Sequence, residues 1–253
     1  MKPIFRYQGG KRRLAKHILP LFPAHACYVE PFCGGAALYF MKQPEKTAVI
    51  NDINGEIVNL FKVVQSSPDA LSNMFDWCII SRQLFNELKH VDIATLSPVE
   101  RAYRFMYLQM LNFGGISGKN NFAMHKTRPH ANIQKEKMMQ LFKDAHLRMK
   151  NTAIENMAWD KCIASYDTAE TLFYCDPPYF NTHGYGMGFE LSEYYKMAEL
   201  AKSIKGKMIV SVGDSQLMRD IFSGLEILEV ETTYKISAMQ NKKQAKELII
   251  LNF

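Results

Sequence analysis

Cysteine is scarce in this chain of 253 residues: there are five, an odd number, and Cys27, Cys33, Cys78, Cys162 and Cys175 form no CxxC pair. That argues against a disulfide framework and against a zinc site, and it fits a reducing compartment. No apolar stretch approaches bilayer length, so a membrane span is not expected. The opening MKPIFRYQGGKRRL carries charge but no apolar core, which speaks against a secretory signal. Internal repeats and low-complexity linkers are also lacking. The expectation is a cytoplasmic globular chain with neither metal nor membrane as a partner.

What is present is ordinary in bulk, 47% hydrophobic and 22% charged, and long enough for one domain or a domain with an insertion. A net charge of +6 points weakly to a polyanionic partner and equally to a mildly basic, well-solvated surface.

Along the chain, the first segment reads strand, turn, helix, strand, turn, helix, strand. YQGGK is a turn, and KRRLAKHILP has helical spacing at Leu14, Ile18 and Leu21 before prolines interrupt it. CYVEPF reads as a buried strand, CGG as a tight turn, AALYFMKQ as a helix start, and TAVINDIN as a second short strand. From Glu56 to about Lys150 the helical period dominates. Ile57, Leu60, Phe61 and Val64 share a face, and SPVERAYRFMYLQML opens on a capping box from Ser97 to Glu100 with Pro98 at the first helical position. Met138, Leu141, Phe142 and Ala145 repeat the spacing, and a glycine-rich basic stretch near 112–132 resembles a β-hairpin or ordered loop. Beyond residue 150, TAIENM, TLFYC, KMIVSV, LEILEVE and ELIILNF are candidate strands, with a helix over SEYYKMAELAKSIKG stopped at Gly206. The last two strands are joined without a helical pattern, which suggests an antiparallel pair. The fold class is therefore α/β: an open, mostly parallel sheet formed by 1–55 and 151–253, with an antiparallel terminal hairpin, interrupted by a helical insertion at 56–150.

Two places carry chemistry. VEPFCGGAALYF puts a glycine turn between strand and helix, where a ligand can approach the backbone and meet the positive helix end. It lacks the G-x-G-x-x-G spacing, so a dinucleotide site is not favoured. Asp52 ends the next strand, eighteen residues after Gly34, where an acid can accept ribose hydroxyls or cap the helix that starts near Asn54. The second place is LFYCDPPYFN. Two prolines cannot donate to a ladder, so the strand stops there, and Asp176 is biased toward an extended conformation by the proline after it. The result is a stiff projection with a carboxylate, free carbonyls and a ring. Asp-Pro-Pro-Tyr should arise by chance in about one chain in a thousand of this length.

With these residues in view, the chain resembles the Dam-type DNA adenine-N6 methyltransferases, which use S-adenosylmethionine, and it does so nearly end to end. RYQGGK is similar to the family's aromatic-x-G-G-K motif with Tyr7 in the aromatic place, and VEPFCGGAALYF to its cofactor loop, with Ala36 where a second glycine is usual. NDIN resembles the ribose-binding motif, LNFGG the start of the recognition hairpin, CDPPY the catalytic motif, and KKQAKELIILN the terminal hairpin. The motif order is that of the alpha arrangement. The resemblance implies a catalytic set of Asp176, Pro177, Pro178 and Tyr179, and a cofactor set of Tyr7, Lys11, Phe32, Gly34, Gly35, Asp52 and Asp176. Asp176 and the Pro177 carbonyl would accept the two amine hydrogens of a base flipped out of double-stranded DNA, while Tyr179 stacks on it.

Lys119, Lys126, Arg128, Lys135 and Lys137, with His125 and His130, concentrate positive charge around the expected hairpin, suited to phosphates. Asn112, Asn120 and Asn121 could read bases or close turns. Arg6, Arg12 and Arg13 could also face DNA but individually fit a solvated helix face better, and Tyr194 and Tyr195 fit packing. The modest insertion implies a short or relaxed target, and a partner endonuclease is compatible with such an enzyme. Competing readings are an N4-cytosine methyltransferase, a catalytically silent DNA-binding module of the same fold, and a nicotinamide-dependent dehydrogenase. The last is set aside by the missing dinucleotide spacing.

Overall fold

The computed structural model describes residues 1–5, 7, 9–112, 122, 135–180, 189–235 and 242–253. In chain order the elements are α1 (Ala15–Ile18), β1 (Cys27–Glu30), α2 (Ala37–Met41), β2 (Thr47–Asn51), α3 (Gly55–Ser66), α4 (Pro68–Asn73), α5 (Arg82–His90), α6 (Pro98–Leu111), α7 (Lys135–Met149), β3 (Thr152–Glu155), α8 (Trp159–Tyr166), β4 (Thr171–Cys175), α9 (Leu191–Ser203), β5 (Lys207–Gly213), α10 (Gln216–Ile221), β6 (Glu226–Lys235) and β7 (Lys242–Leu251). The strands form one seven-stranded sheet in the order β3-β2-β1-β4-β5-β7-β6. β1, β2, β3, β4 and β5 pair in parallel, whereas β7 lies antiparallel to both β5 and β6.

Strand periodicity sorts the core into two layers. Side chains alternate across a sheet, so consecutive residues of one strand enter opposite faces. Tyr28, Ala48, Ile50, Leu172, Tyr174, Ile209 and Ile249 join one cluster with α1 to α7. Their neighbours Val29, Val49, Phe173, Cys175, Met208, Val210 and Ile250 join the other, with α8, α9 and α10. Burial on both faces explains why Leu172, Phe173, Tyr174 and Cys175 of TLFYC run on without a polar alternation. The 56–150 segment shares the first cluster, since Ile57, Leu60 and Phe61 of α3 pack with Phe5, Phe40 and Ile50. Its capping box at Ser97 and Glu100 forms as the sequence predicts.

Some expectations need correction. Among the described residues no strand precedes β1. The helix expected over 11–21 is broken into a 3₁₀ turn at Lys11–Arg13, the four-residue α1, and a second 3₁₀ turn at Leu19–Leu21, where Pro20 removes a donor. α9 ends at Ser203, short of Gly206. That glycine serves a close approach: a Cβ there would lie 2.8 Å from the Phe173 ring and 3.0 Å from the Thr171 carbonyl oxygen. The helices α8 and α10 were not expected. No helix among the described residues is long and apolar enough to cross a membrane, and no group of three or more metal-ligating side chains occurs among them.

Candidate active site

The chain leaves β1 toward one face through α2 and leaves β4 toward the other through α9. Adjacent strands that send their connections to opposite faces create a crevice at their carboxyl ends, the usual ligand site of an open α/β sheet. The glycine turn follows β1 and the Asp-Pro-Pro-Tyr stretch follows β4, so both open at this crevice.

The glycine turn is held through its backbone by Asn51 and Asp52 of the next strand end. Cys33 N–H donates to the Asn51 carbonyl at 2.8 Å, and the buried Asn51 amide donates to the Pro31 carbonyl at 2.8 Å. Gly34 has φ +48°, which glycine adopts at little cost, and its N–H donates to Asp52 Oδ2 at 2.8 Å. Asp52 Oδ1 accepts Asn54 N–H at 2.9 Å, while Asn54 itself caps α3 by accepting from Glu56 N–H. Burial raises the Asp52 pKa from its usual range, and these two N–H donors pull it back. A carboxylate has about four acceptor sites, so Asp52 retains capacity for hydroxyl donors. Tyr7 lies against the turn: a Cβ on Gly34 would fall 2.8 Å from its ring, and one on Gly35 3.1 Å from its Cβ. Phe32 stacks on Trp159 at 5.8 Å and meets Phe189 edge-on at 5.5 Å.

At the end of β4 the supports are side chains drawn from distant segments. The buried Lys11 ammonium lies 2.7 Å from Asp176 Oδ1 and donates to the Tyr179 hydroxyl at 2.7 Å. Tyr174 and Ser211 share a hydrogen bond at 2.7 Å, and Ser211 reaches Asp176 Oδ1 at 3.4 Å. The Tyr194 hydroxyl donates to the Pro178 carbonyl, and the Tyr179 hydroxyl to Glu247. Among the described residues, Asp176 Oδ2 and the Pro177 carbonyl accept no hydrogen bond, and the Asp176 side chain is 21% exposed. Burial pushes the Asp176 carboxyl up to about 6, against the pull of Lys11.

The structure thus brings Tyr7, Lys11, Gly34, Gly35 and Asp52 to one strand end or its neighbour, together with Asp176, Pro177, Pro178 and Tyr179. Asn112 is buried at the end of α6 and forms an antiparallel bridge with Phe122, whose ring meets Phe85 at 5.6 Å. Lys119, Asn120, Asn121, His125, Lys126, Arg128 and His130 lie outside the described residues, as do Arg6 and the side chain of Lys135. Lys137, Arg12 and Arg13 are exposed. Tyr195 is half exposed, so it does not pack, whereas Tyr194 packs and also fixes the tetrapeptide. Sequence reasoning missed Glu30 and Glu247. Glu30 is a buried acid at the end of β1 that accepts Tyr28 Oη and Tyr39 N–H, each at 2.7 Å, and burial raises it to about 7. The signal in both cases was an acid inside an otherwise apolar strand, VEPF and KELIIL.

A family model for D12 class N6 adenine-specific DNA methyltransferases matches residues 7–236. The chain is 28% identical over 278 residues to a DNA adenine methylase of Haemophilus influenzae, covering 99% of this chain and 93% of that protein. It is 26% identical over 279 residues to the type II methyltransferase M1.LlaDCHI of Lactococcus lactis subsp. cremoris, covering 100% and 96%. It is 25% identical over 250 residues to the type II methyltransferase M.CviBI of Paramecium bursaria Chlorella virus NC1A, covering 93% and 92%. The sheet is that of a Rossmann-like methyltransferase, and the chain belongs to the D12 class N6 adenine-specific DNA methyltransferase family. It acts on DNA, carrying a methyl group from a donor to the N6 amine of adenine; the cytosine and silent-module readings gain no support.

Proposed function

We propose that the chain methylates an adenine everted from double-stranded DNA, with Asp176 and the Pro177 carbonyl as acceptors of the amine hydrogens and S-adenosylmethionine as the donor. The observation that carries this is the pair of open acceptors: Asp176 Oδ2 and the Pro177 carbonyl are unengaged among the described residues, while Oδ1 and the Pro178 carbonyl are held. The exocyclic nitrogen of adenine is a weak nucleophile because its lone pair is delocalised into the ring. Accepting both N–H bonds favours a pyramidal nitrogen and stabilises the positive charge that develops on it. Lys11 keeps Asp176 ionised against its burial, so the acceptor is in its working form at neutral pH. Tyr179 offers its ring to the base, and the stiff backbone of the prolines holds both acceptors in place.

The donor residues are Tyr7, Phe32, Gly34, Gly35 and Asp52, with Lys11 and Asp176 bordering them. Asp52 fits this assignment because two of its roughly four acceptor sites remain for ribose hydroxyls, and the absence of a Cβ at Gly34 lets the Tyr7 ring lie against the turn beside it. When bound, the donor supplies an electrophilic sulfonium methyl. Residues 1–55 and 151–253 act as the donor-binding part, and 56–150 as the part that recognises DNA through Asn112, Lys119, Asn120, Lys126 and Arg128. Phosphate contacts by such cations make affinity salt-dependent. A reducing cytoplasm suits the free cysteines.

Incubation with methyl-labelled donor and mixed-sequence duplex DNA tests the reading. Label recovered as N6-methyladenine is expected. Label in cytosine, or in no nucleic acid, overturns it.

A further inference from the structure

Glu247 is a buried acid on the terminal strand that the proposed chemistry does not use. It is 1% exposed and is followed by Leu248, Ile249, Ile250 and Leu251, all core residues. A carboxylate in such surroundings is costly unless paired and hydrogen-bonded. One partner is the Tyr179 hydroxyl. The direction of that bond follows from Lys11, which can only donate: the hydroxyl accepts from the ammonium at 2.7 Å and so commits its own proton to Glu247. The ring is seated on the same register pair. Gly213 lies opposite Glu247 in the β5–β7 ladder, and a Cβ at Gly213 would lie 3.7 Å from Cδ2 and Cε2 of Tyr179. The ring lies beside one partner, and the carboxylate of the other fixes its hydroxyl.

We propose that Glu247 is a positioning residue for methyl transfer: through the Tyr179 hydroxyl it sets the plane of the ring that receives the target base and anchors the Lys11 ammonium beside Asp176. This deepens the reading above, since it rests on residues 176–179 holding the adenine. It also ties the terminal hairpin to the reacting end of β4, 68 residues earlier in sequence.

The charges facing Asp176 give this role a signature. Lys11 faces it from the first 3₁₀ turn, Glu30 from β1, Tyr174 and Cys175 from β4, and Glu247 from β7. Glu247 pushes the Asp176 carboxyl up and Lys11 pulls it down. Removing the Glu247 charge therefore moves the acid limb of the rate profile to lower pH.

The test compares Glu247→Gln, Tyr179→Phe and the double variant in single-turnover methylation at saturating donor and duplex DNA. The expected result for Glu247→Gln is a rate at least 10-fold lower, a donor KM within about 2-fold, and an acid limb at lower pH. In the Tyr179→Phe background the same change should alter the rate less than about 3-fold, because the shared bond is already gone. A Glu247→Gln rate within 2-fold of the parent, or an equal loss in both backgrounds, overturns the proposal. If Glu247→Gln does not fold, Tyr179→Phe carries the test alone: a 10-fold loss supports the link and full rate sinks it. An inactive Asp176→Ala beside a fully active Glu247→Gln removes only this proposal, whereas a fully active Asp176→Ala removes the reading beneath it.

Discussion

The ends of β1 and β4 lie side by side, yet they are held by different means. After β1 the turn is held through its backbone N–H groups, by the end of the neighbouring strand: Cys33 N–H to Asn51 O, Ala36 N–H to Cys33 O, and Gly34 and Asn54 N–H to the Asp52 carboxylate. After β4 the stiff tetrapeptide is held by Lys11, Ser211, Tyr194 and Glu247, four side chains from four segments. A backbone cradle offers shape and a few polar atoms, which suits holding a ligand. A net of side chains around one carboxylate sets protonation and direction, which suits chemistry. The contrast teaches that changes at the first end should move affinity, while changes at the second should move rate.

The sharpest break of that contrast is Asp176→Ala. Single-turnover methylation should fall about 10²–10³-fold or more, the scale for losing a preorganised partner of developing charge, while donor affinity stays within about 3-fold. Rapid-quench rates and a donor titration give the two numbers, and an equal loss in both would make Asp176 chiefly a donor ligand. Lys11→Met comes next. Without the cation the buried carboxyl rises further above about 6, so the acid limb of the rate moves to higher pH. Stability follows the same sign. The folded pKa already exceeds the unfolded one, so ionising Asp176 costs stability above that range, and losing Lys11 enlarges the cost. Breaking a buried pair is worth about 3–5 kcal/mol. The melting-point gap between Lys11→Met and the parent should therefore widen as pH rises through 6 and close toward pH 4. A pH-independent gap would assign Lys11 to packing alone.

On the other side of the comparison, Asp52→Ala removes an acceptor from two backbone N–H groups and, on the proposed reading, from the donor. Hydrogen bonds to a charged group are worth about 1.5–3 kcal/mol, so donor affinity should drop roughly 10- to 100-fold with the saturated rate within about 3-fold. Isothermal titration and saturated rates decide it. A collapse in rate at unchanged affinity would erase the distinction between the two strand ends.

Most of the sheet was legible because strand runs such as TLFYC and KMIVSV are buried on both faces and bounded by clear breakers. The capping box of α6 was legible because its signal is local. α8 was not, since Ala158 supplies no side-chain cap and no flanking signal marks the start. At the candidate site, Asp176 and Asp52 stood out through neighbours in sequence, whereas Glu247, Tyr194 and Ser211 are joined to the tetrapeptide only by tertiary contacts. Glu30 was hidden although its partners are near in sequence, Tyr28 two residues before it and Tyr39 nine after it, because spacing does not show which groups turn toward a strand end. Spacing reports what the backbone does locally and is silent on which distant strand will supply a carboxylate.

Ala36 tests how tightly the backbone cradle is specified. It occupies the left-handed region at φ 49°, ψ 45°, immediately before α2. A residue with a Cβ is disfavoured there by roughly 1–2 kcal/mol, which accounts for glycine being usual in the similar motif. Ala36→Gly removes that strain. It also deletes a methyl from a fully buried position, worth about 0.8 kcal/mol, and loosens the unfolded chain by about 0.4–1 kcal/mol. The terms nearly cancel, so stability should change by less than about 1 kcal/mol and the melting point by no more than about 4 °C. Donor affinity should change less than about 3-fold, because the polar anchors at this end are Gly34 N–H and Asp52, neither of which involves the Ala36 side chain. A large gain in donor affinity on restoring glycine would show that the turn's shape at residue 36, and not its anchoring at 34 and 52, governs binding at the end of β1.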